Sequence, residues 1–213
     1  DFPISGKQTD NNFITIVSGL PRSGTSMMMK MLDQGNMPIL SDNIRKPDTD
    51  NPKGYYEFER VKELEHDNSW LEMAQGKVVK IVSPILQHLL LDKKYRYKII
   101  FMLRSLDEVL ASQRKMSDRL NQIKDTIKDN ILKQNYSAHL EEIRQWLDKN
   151  ENIEVMYVNY TDIVSNPISI AEDILNFLDI NLNTGEMASV IDDSLYRQRI
   201  EQATASHATA ASE

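Results

Sequence analysis

The stretch Gly19-Leu-Pro-Arg-Ser-Gly-Thr-Ser26 carries residue types that can hold an anion. Two glycines let backbone approach an oxygen with no Cβ in the way. Arg22 offers a planar fork of donors suited to phosphate or sulfate oxygens. Before it, Phe13-Ile-Thr-Ile-Val17 is short, apolar and β-branched, the pattern of a buried strand. After it, Met27-Met-Met-Lys-Met-Leu32 is rich in straight-chain helix formers. A strand, a glycine turn and a helix start would aim unpaired N–H groups and the positive end of the helix dipole at the anion. A triphosphate loop reads G-x-x-x-x-G-K-[ST], its lysine reaching the β- and γ-phosphates. Here the glycine spacing is kept, Thr25 stands in the lysine's place, and the positive charge has moved to Arg22. The pattern predicts an anion site that does not serve a γ-phosphate with Mg²⁺.

Two further strand ends carry suitable chemistry. Tyr97-Lys-Ile-Ile-Phe-Met-Leu103 is nearly continuous in apolar character and delivers Arg104, with Ser112 eight residues later. That spacing is about two turns into the next helix. Lys77-Val-Val-Lys-Ile-Val82 delivers Lys80 and Ser83. Two cationic anchors separated in sequence suit a ligand with phosphates at opposite ends. In open α/β sheets, ligands bind beyond the carboxyl ends of the strands.

The elements that must position these groups alternate strand and helix, which implies a parallel sheet with right-handed crossovers. Residues 33–56 are rich in Asp, Asn, Pro and Gly and read as a long loop, the kind that is functional or mobile. Helical periodicity is predicted from Phe58 to Ala74, with Val61, Leu64, Trp70 and Leu71 inward and Gly76 ending it. Ser105 and Glu108 have capping-box spacing, so a helix should start there. Its periodicity runs to Leu147, with a break expected near Ser117 or Tyr136. Ile153-Glu-Val-Met-Tyr-Val158 is a fourth strand, and Asn166-Pro167 opens another helix.

The chain has 213 residues and no cysteine, which leaves no disulfide framework and no thiol nucleophile. One domain over 1–203 is expected, with a low-complexity tail at 204–213. A net charge of −7 argues against broad nucleic-acid binding. No apolar run approaches ~18 residues, so no membrane span is expected, and the expected location is cytoplasmic. The four histidines show no metal-ligand spacing, and no metal is expected.

The chain resembles the sulfotransferases that use 3′-phosphoadenosine 5′-phosphosulfate (PAPS). Their 5′-phosphosulfate loop is similar to Pro21-Arg-Ser-Gly-Thr-Ser26, and their 3′-phosphate element to Arg104 with Ser112. Tyr157-Val-Asn-Tyr-Thr-Asp-Ile163 with Asn166-Pro167, and Asn51-Pro-Lys-Gly-Tyr-Tyr-Glu57, are weaker matches, the latter to small bacterial members. The resemblance implies a three-layer P-loop-type α/β fold with a central, mainly parallel sheet of about four or five strands. It implies sulfo transfer to a hydroxyl or amine of a small-molecule or glycan acceptor. It assigns Pro21, Arg22, Ser23, Gly24, Thr25, Ser26, Arg104 and Ser112 to the donor, and Lys80 beside Arg22 to catalysis.

The chain also departs from that pattern. Lys80-Ile-Val-Ser-Pro84 has Val82 where cytosolic members carry their base histidine. Other branches use a glutamate, which makes Glu57 the first candidate base and Asp42 the second, with His66 behind them. The cytosolic members' C-terminal Arg-Lys-Gly loop is missing, and Arg197 and Arg199 are its candidate substitutes. Two alternatives stand at this point: a nucleoside or nucleotide kinase, and a catalytically degenerate nucleotide-binding module.

Overall fold

The computed structural model describes residues 13–42, 56–89, 94–119 and 126–191. Among the described residues four strands form the sheet: β1 (Phe13–Gly19), β2 (Val78–Lys80), β3 (Arg96–Leu103) and β4 (Ile153–Asn159). Their order is β2-β1-β3-β4, and every pairing is parallel. β1 lies opposite Val78–Lys80 on one side and opposite Arg96–Met102 on the other. The connections leave β1 and β3 in opposite directions, so the crevice between their carboxyl ends is the switch point at which such sheets bind ligands.

The period of two along each strand sorts side chains onto two faces. Ile14, Ile16, Val79, Ile81, Ile99 and Phe101 join one core. It is covered by α2 (Leu71–Ala74), α3 (Ser83–Leu86) and α5 (Thr126–Asp148). Val17, Val78, Ile100, Met102 and Val158 join the other core, under α1 (Thr25–Gln34), α6 (Tyr160–Ser165), α7 (Pro167–Leu178) and α8 (Thr184–Ser189). The result is the expected three-layer α/β fold. Met28, Met29 and Met31 are fully buried beneath α1, so that methionine run is core. Lys98 of β3 reaches across this layer. Its Nζ donates to the carbonyls of Phe177 and Leu178, at 2.7 and 3.2 Å, where a cation suits the end of α7.

One expectation needs correction, and a second resolves to one of its two alternatives. The helix predicted over 58–74 is a 3-10 turn at Glu59–Glu63, a further turn, and the short α2. Local polar side chains compete with the helical ladder there. Asp67 Oδ1 accepts from the Ser69 N–H at 2.9 Å, and Asn68 Nδ2 donates to the Leu64 carbonyl at 2.7 Å. Its inward residues, Val61, Leu64, Trp70 and Leu71, are nonetheless buried. The long helix divides into α4 (Leu106–Arg119) and α5, with 120–125 outside the described residues; the break falls near Ser117, as one of the two expected positions had it, and Tyr136 lies inside α5. α6 and α8 had no sequence prediction; α7 starts on Pro167 as its sequence requires.

Candidate active site

β1 ends at Gly19, whose φ of 140° turns the chain off the sheet. A Cβ there would stand 2.6 Å from the Met102 carbonyl oxygen. Gly24, at φ 104°, caps α1, and a Cβ on it would meet the Tyr160 ring at 2.6 Å. Arg22 also adopts a left-handed φ, 74°. Such handedness changes gather successive N–H groups into an anion-binding concavity. Gly24 supplies no side-chain cap and the first turn of α1 holds no acid, so α1's own sequence leaves its N-terminal dipole uncompensated. Pro21 and Ser26 are half-buried, while Ser23 and Thr25 are buried. Ser23 Oγ is shut off from solvent with no hydrogen-bond partner among the described residues. A buried hydroxyl of this kind favours an added acceptor. The loop therefore fits a phosphate or sulfate group.

The second anchor lies against the first. Arg22 Nε donates to Ser112 Oγ at 3.0 Å, and Arg104 Nη1 donates to the Arg22 carbonyl at 3.2 Å. Arg104 Nε also donates to Glu108 Oε2 at 2.9 Å, with side-chain exposures of 8 % and 3 %. The guanidinium carbon sits 4.3 Å from the centre of the Tyr160 ring, a cation–π contact. Burial pushes the Tyr160 hydroxyl above its ordinary pKa, while Arg104 pulls the other way. Arg104 leaves β3 and Ser112 comes from α4, so the helix start fixes both relative to the loop. Glu108, read as a helix-capping acid, accepts from Arg104 through its Oε2.

The third group lies at the end of β2. Lys80 pairs in register with Val17, next to the strand end that becomes the loop. Its ammonium is 3.6 Å from Glu57 Oε1, with side-chain exposures of 7 % and 25 %. Asp42 donates its N–H to the Glu57 carbonyl at 3.1 Å, and its Oδ2 accepts from the Glu59 N–H. The structure thus joins Glu57 with Lys80, and Asp42 with the backbone around Glu57. His66 is exposed in the turn after the 3-10 segment. Arg197 and Arg199 lie outside the described residues.

Two contributors escaped the sequence reading. Glu108 was legible in principle, because Arg104 and Glu108 have the i, i+4 spacing of a helical ion pair. Tyr160, under Gly24, had no such signal. A third contact, His139 Nε2 to Ser83 Oγ at 3.0 Å, ties α5 to the chain just beyond β2.

The four-stranded parallel sheet with helices on both faces is that of a sulfotransferase-type fold. The family model described as Sulfotransferase domain matches residues 14–212, and the chain belongs to that family. No curated protein is matched by sequence. Among solved structures, mouse sulfotransferase SULT7A1 complexed with PAP superposes with a TM-score of 0.52 at 18 % identity. The alignment covers 84 % of this chain and 62 % of the mouse chain, so this chain spans under two thirds of that protein's length. The sulfotransferase domain of the Synechococcus PCC 7002 olefin synthase gives a TM-score of 0.49 at 15 % identity, over 88 % and 83 % of the two chains. The likeness to the mouse structure is one of fold.

Proposed function

We propose that this chain moves a sulfo group from PAPS to a hydroxyl or amine of a small-molecule or glycan acceptor by in-line displacement. One observation carries the reading: Arg22, Ser112 and Arg104 are linked into a single cationic corner over a glycine loop that has no lysine at Thr25. That corner suits a donor with a 5′-phosphosulfate and a 3′-phosphate, and it lacks the residue a γ-phosphate requires. The capture of the mouse protein with PAP supports the same donor class.

In this reading the loop N–H groups and Arg22 hold the 5′-phosphosulfate, and Arg104 with Ser112 holds the 3′-phosphate. The acceptor oxygen bonds to sulfur as the bond from sulfur to the 5′-phosphate oxygen breaks, and the electron pair leaves with the phosphate. Lys80 offsets charge on that leaving oxygen. Glu57 takes the acceptor proton, at a position set by Lys80 and by the Asp42 N–H. Positioning and fixed charge supply the rate, as in phosphoryl transfer.

Thermal shift tests the donor assignment. Adenosine 3′,5′-bisphosphate without Mg²⁺ is expected to raise the melting temperature by binding only the folded state. Stabilisation by ATP with Mg²⁺ and none by the bisphosphate would restore the kinase alternative.

A further inference from the structure

The segment that delivers Glu57 straddles the edge of the sheet at β2. Tyr56 packs against the core on the α1 face, and Phe58 packs against the core on the α5 face. Phe58 stacks edge-on against Trp70, with ring centres 5.5 Å apart and planes at 73°. Glu57 lies between them and faces Lys80. Three consecutive side chains therefore enter three different environments.

An extended segment cannot do this unaided, since its alternate side chains share a face. Tyr56 makes it possible with a left-handed φ of 51°. A bulky residue rarely adopts that conformation, and it persists where its surroundings over-determine it. Here the phenol supplies the restraint: Tyr56 Oη donates to Asp33 Oδ2 at 2.9 Å. Asp33 stands in the last turn of α1 and is itself 3.5 Å from Lys30 Nζ. Burial, and then the Asp33 carboxylate, push the phenol well above its ordinary pKa. The donor therefore stays protonated at neutral pH.

We infer that the Tyr56–Asp33 hydrogen bond is a positioning clamp: it fixes the strained turn that holds the Glu57 carboxylate at Lys80, beside the strand end that leads into the anion loop. The inference rests on the role given to Glu57 above. A base must be held within hydrogen-bond reach of the proton it takes, and small displacements of reacting groups are costly. The clamp binds no donor atom. It acts through Glu57, and it couples the base to the helix whose other end forms the anion site.

The test is Tyr56→Phe, which keeps the ring and removes only the hydroxyl. Release of bisphosphate from PAPS is followed with phenol and with water as acceptor probes. Turnover is expected to fall about tenfold, the scale of a modest misplacement. Bisphosphate affinity should hold within about twofold, as for a remote site. In a Glu57→Gln background the same substitution should cost nothing further. Asp33→Asn, which keeps an acceptor oxygen, should retain most of the turnover, and Asp33→Ala should match Tyr56→Phe. Equal losses from Tyr56→Phe with and without Glu57 would overturn the clamp, because they would mark a merely structural role. A readout independent of activity is the side-chain carboxyl ¹³C signal of Glu57, assigned by its loss in Glu57→Gln. That signal should move in Tyr56→Phe, and an unmoved signal overturns the clamp. If the wild type fails to bind the bisphosphate, the donor reading fails by itself, and the carboxyl signal still decides the clamp.

Discussion

The corner at the end of β3 and the strap beside β2, residues 56–58, both place charge near the same loop, but they are built differently. At the β3 corner, Arg104 and Glu108 are almost wholly buried, and contacts of 2.9–3.2 Å link Glu108, Arg104, Arg22 and Ser112. At the strap, Lys80 is buried but Glu57 keeps a quarter of its surface in solvent, and the pair is 3.6 Å apart. A phosphate anchor works best when its charges are fixed before the ligand arrives, since fixed charge costs no reorganisation. A base has to exchange a proton with a group that comes and goes, so it must stay reachable. On the proposed function, the corner holds its ligand and the strap is approached by it.

The largest effects should separate the two regions by stability. Arg104→Met would leave the Glu108 carboxylate buried without its ion partner, a change on the order of 3–5 kcal/mol. Glu108→Gln added to it should recover part of that loss and none of the bisphosphate affinity. Lys80→Met leaves a partly exposed Glu57 that can hydrate, so its cost should be smaller than that of Arg104→Met, while turnover collapses. Urea unfolding and bisphosphate titration of the three variants decide the matter. Comparable destabilisation by Arg104→Met and Lys80→Met would erase the distinction between the corner and the strap.

Next in size is the strap's own chemistry. Glu57→Gln should lower turnover by about 10²-fold, the usual scale for a lost general base, with bisphosphate affinity close to wild type. Asp42→Asn should do less, because an amide oxygen still accepts from the Glu59 N–H and the Asp42 N–H is untouched. His66→Ala, in an exposed turn, should do less again. If Asp42→Asn or His66→Ala abolishes turnover while Glu57→Gln does not, the base lies elsewhere and the sulfo-transfer reading stands.

The same contrast explains what the sequence made legible. Pro21–Ser26 and Arg104 with Ser112 are short motifs whose geometry follows from a strand running into a helix. Their spacing alone places them at the carboxyl edge of a parallel sheet. Phe13–Val17 and Tyr97–Leu103 were readable because a strand covered on both faces is apolar without interruption. The strap was not readable. Its order depends on pairs far apart in sequence, Tyr56 with Asp33 and Glu57 with Lys80, which no local period announces. The failed helix over 58–74 has a related cause. Its apolar spacing was correct, and Val61, Leu64 and Leu71 are buried, but the side chains of Asp67 and Asn68 captured the backbone first. Tyr160 joined the site through close packing under Gly24, which leaves no mark on spacing.

The smallest expected effect lies in the element that connects the two regions. α5 reaches the corner's helix through Tyr136, whose hydroxyl accepts from Gln113 Nε2 at 2.8 Å, and through Lys133 on Asp107 at 2.7 Å. It reaches the chain beyond β2 through His139 and Ser83. Burial lowers the pKa of His139 below its ordinary 6.5, and the nearby Glu142 charge only partly opposes this. Folding therefore favours the neutral ring. The stability this contributes is fully present above about pH 6.5, the unfolded value, and is lost as pH falls from there through the folded value. His139→Gln keeps a polar group able to meet Ser83 and removes the titration. Between pH 7.5 and 5.5 the wild type should lose about a degree or two more in melting temperature than the variant, because solvent screens a half-exposed ring. The other three histidines are the same in both proteins, so the difference isolates His139. Parallel melting curves across that window would show that His139 ties α5 to Ser83 without sensing pH. A larger acid loss in turnover than in melting temperature, again absent from His139→Gln, would locate the effect at the β2 end of the site rather than at the corner.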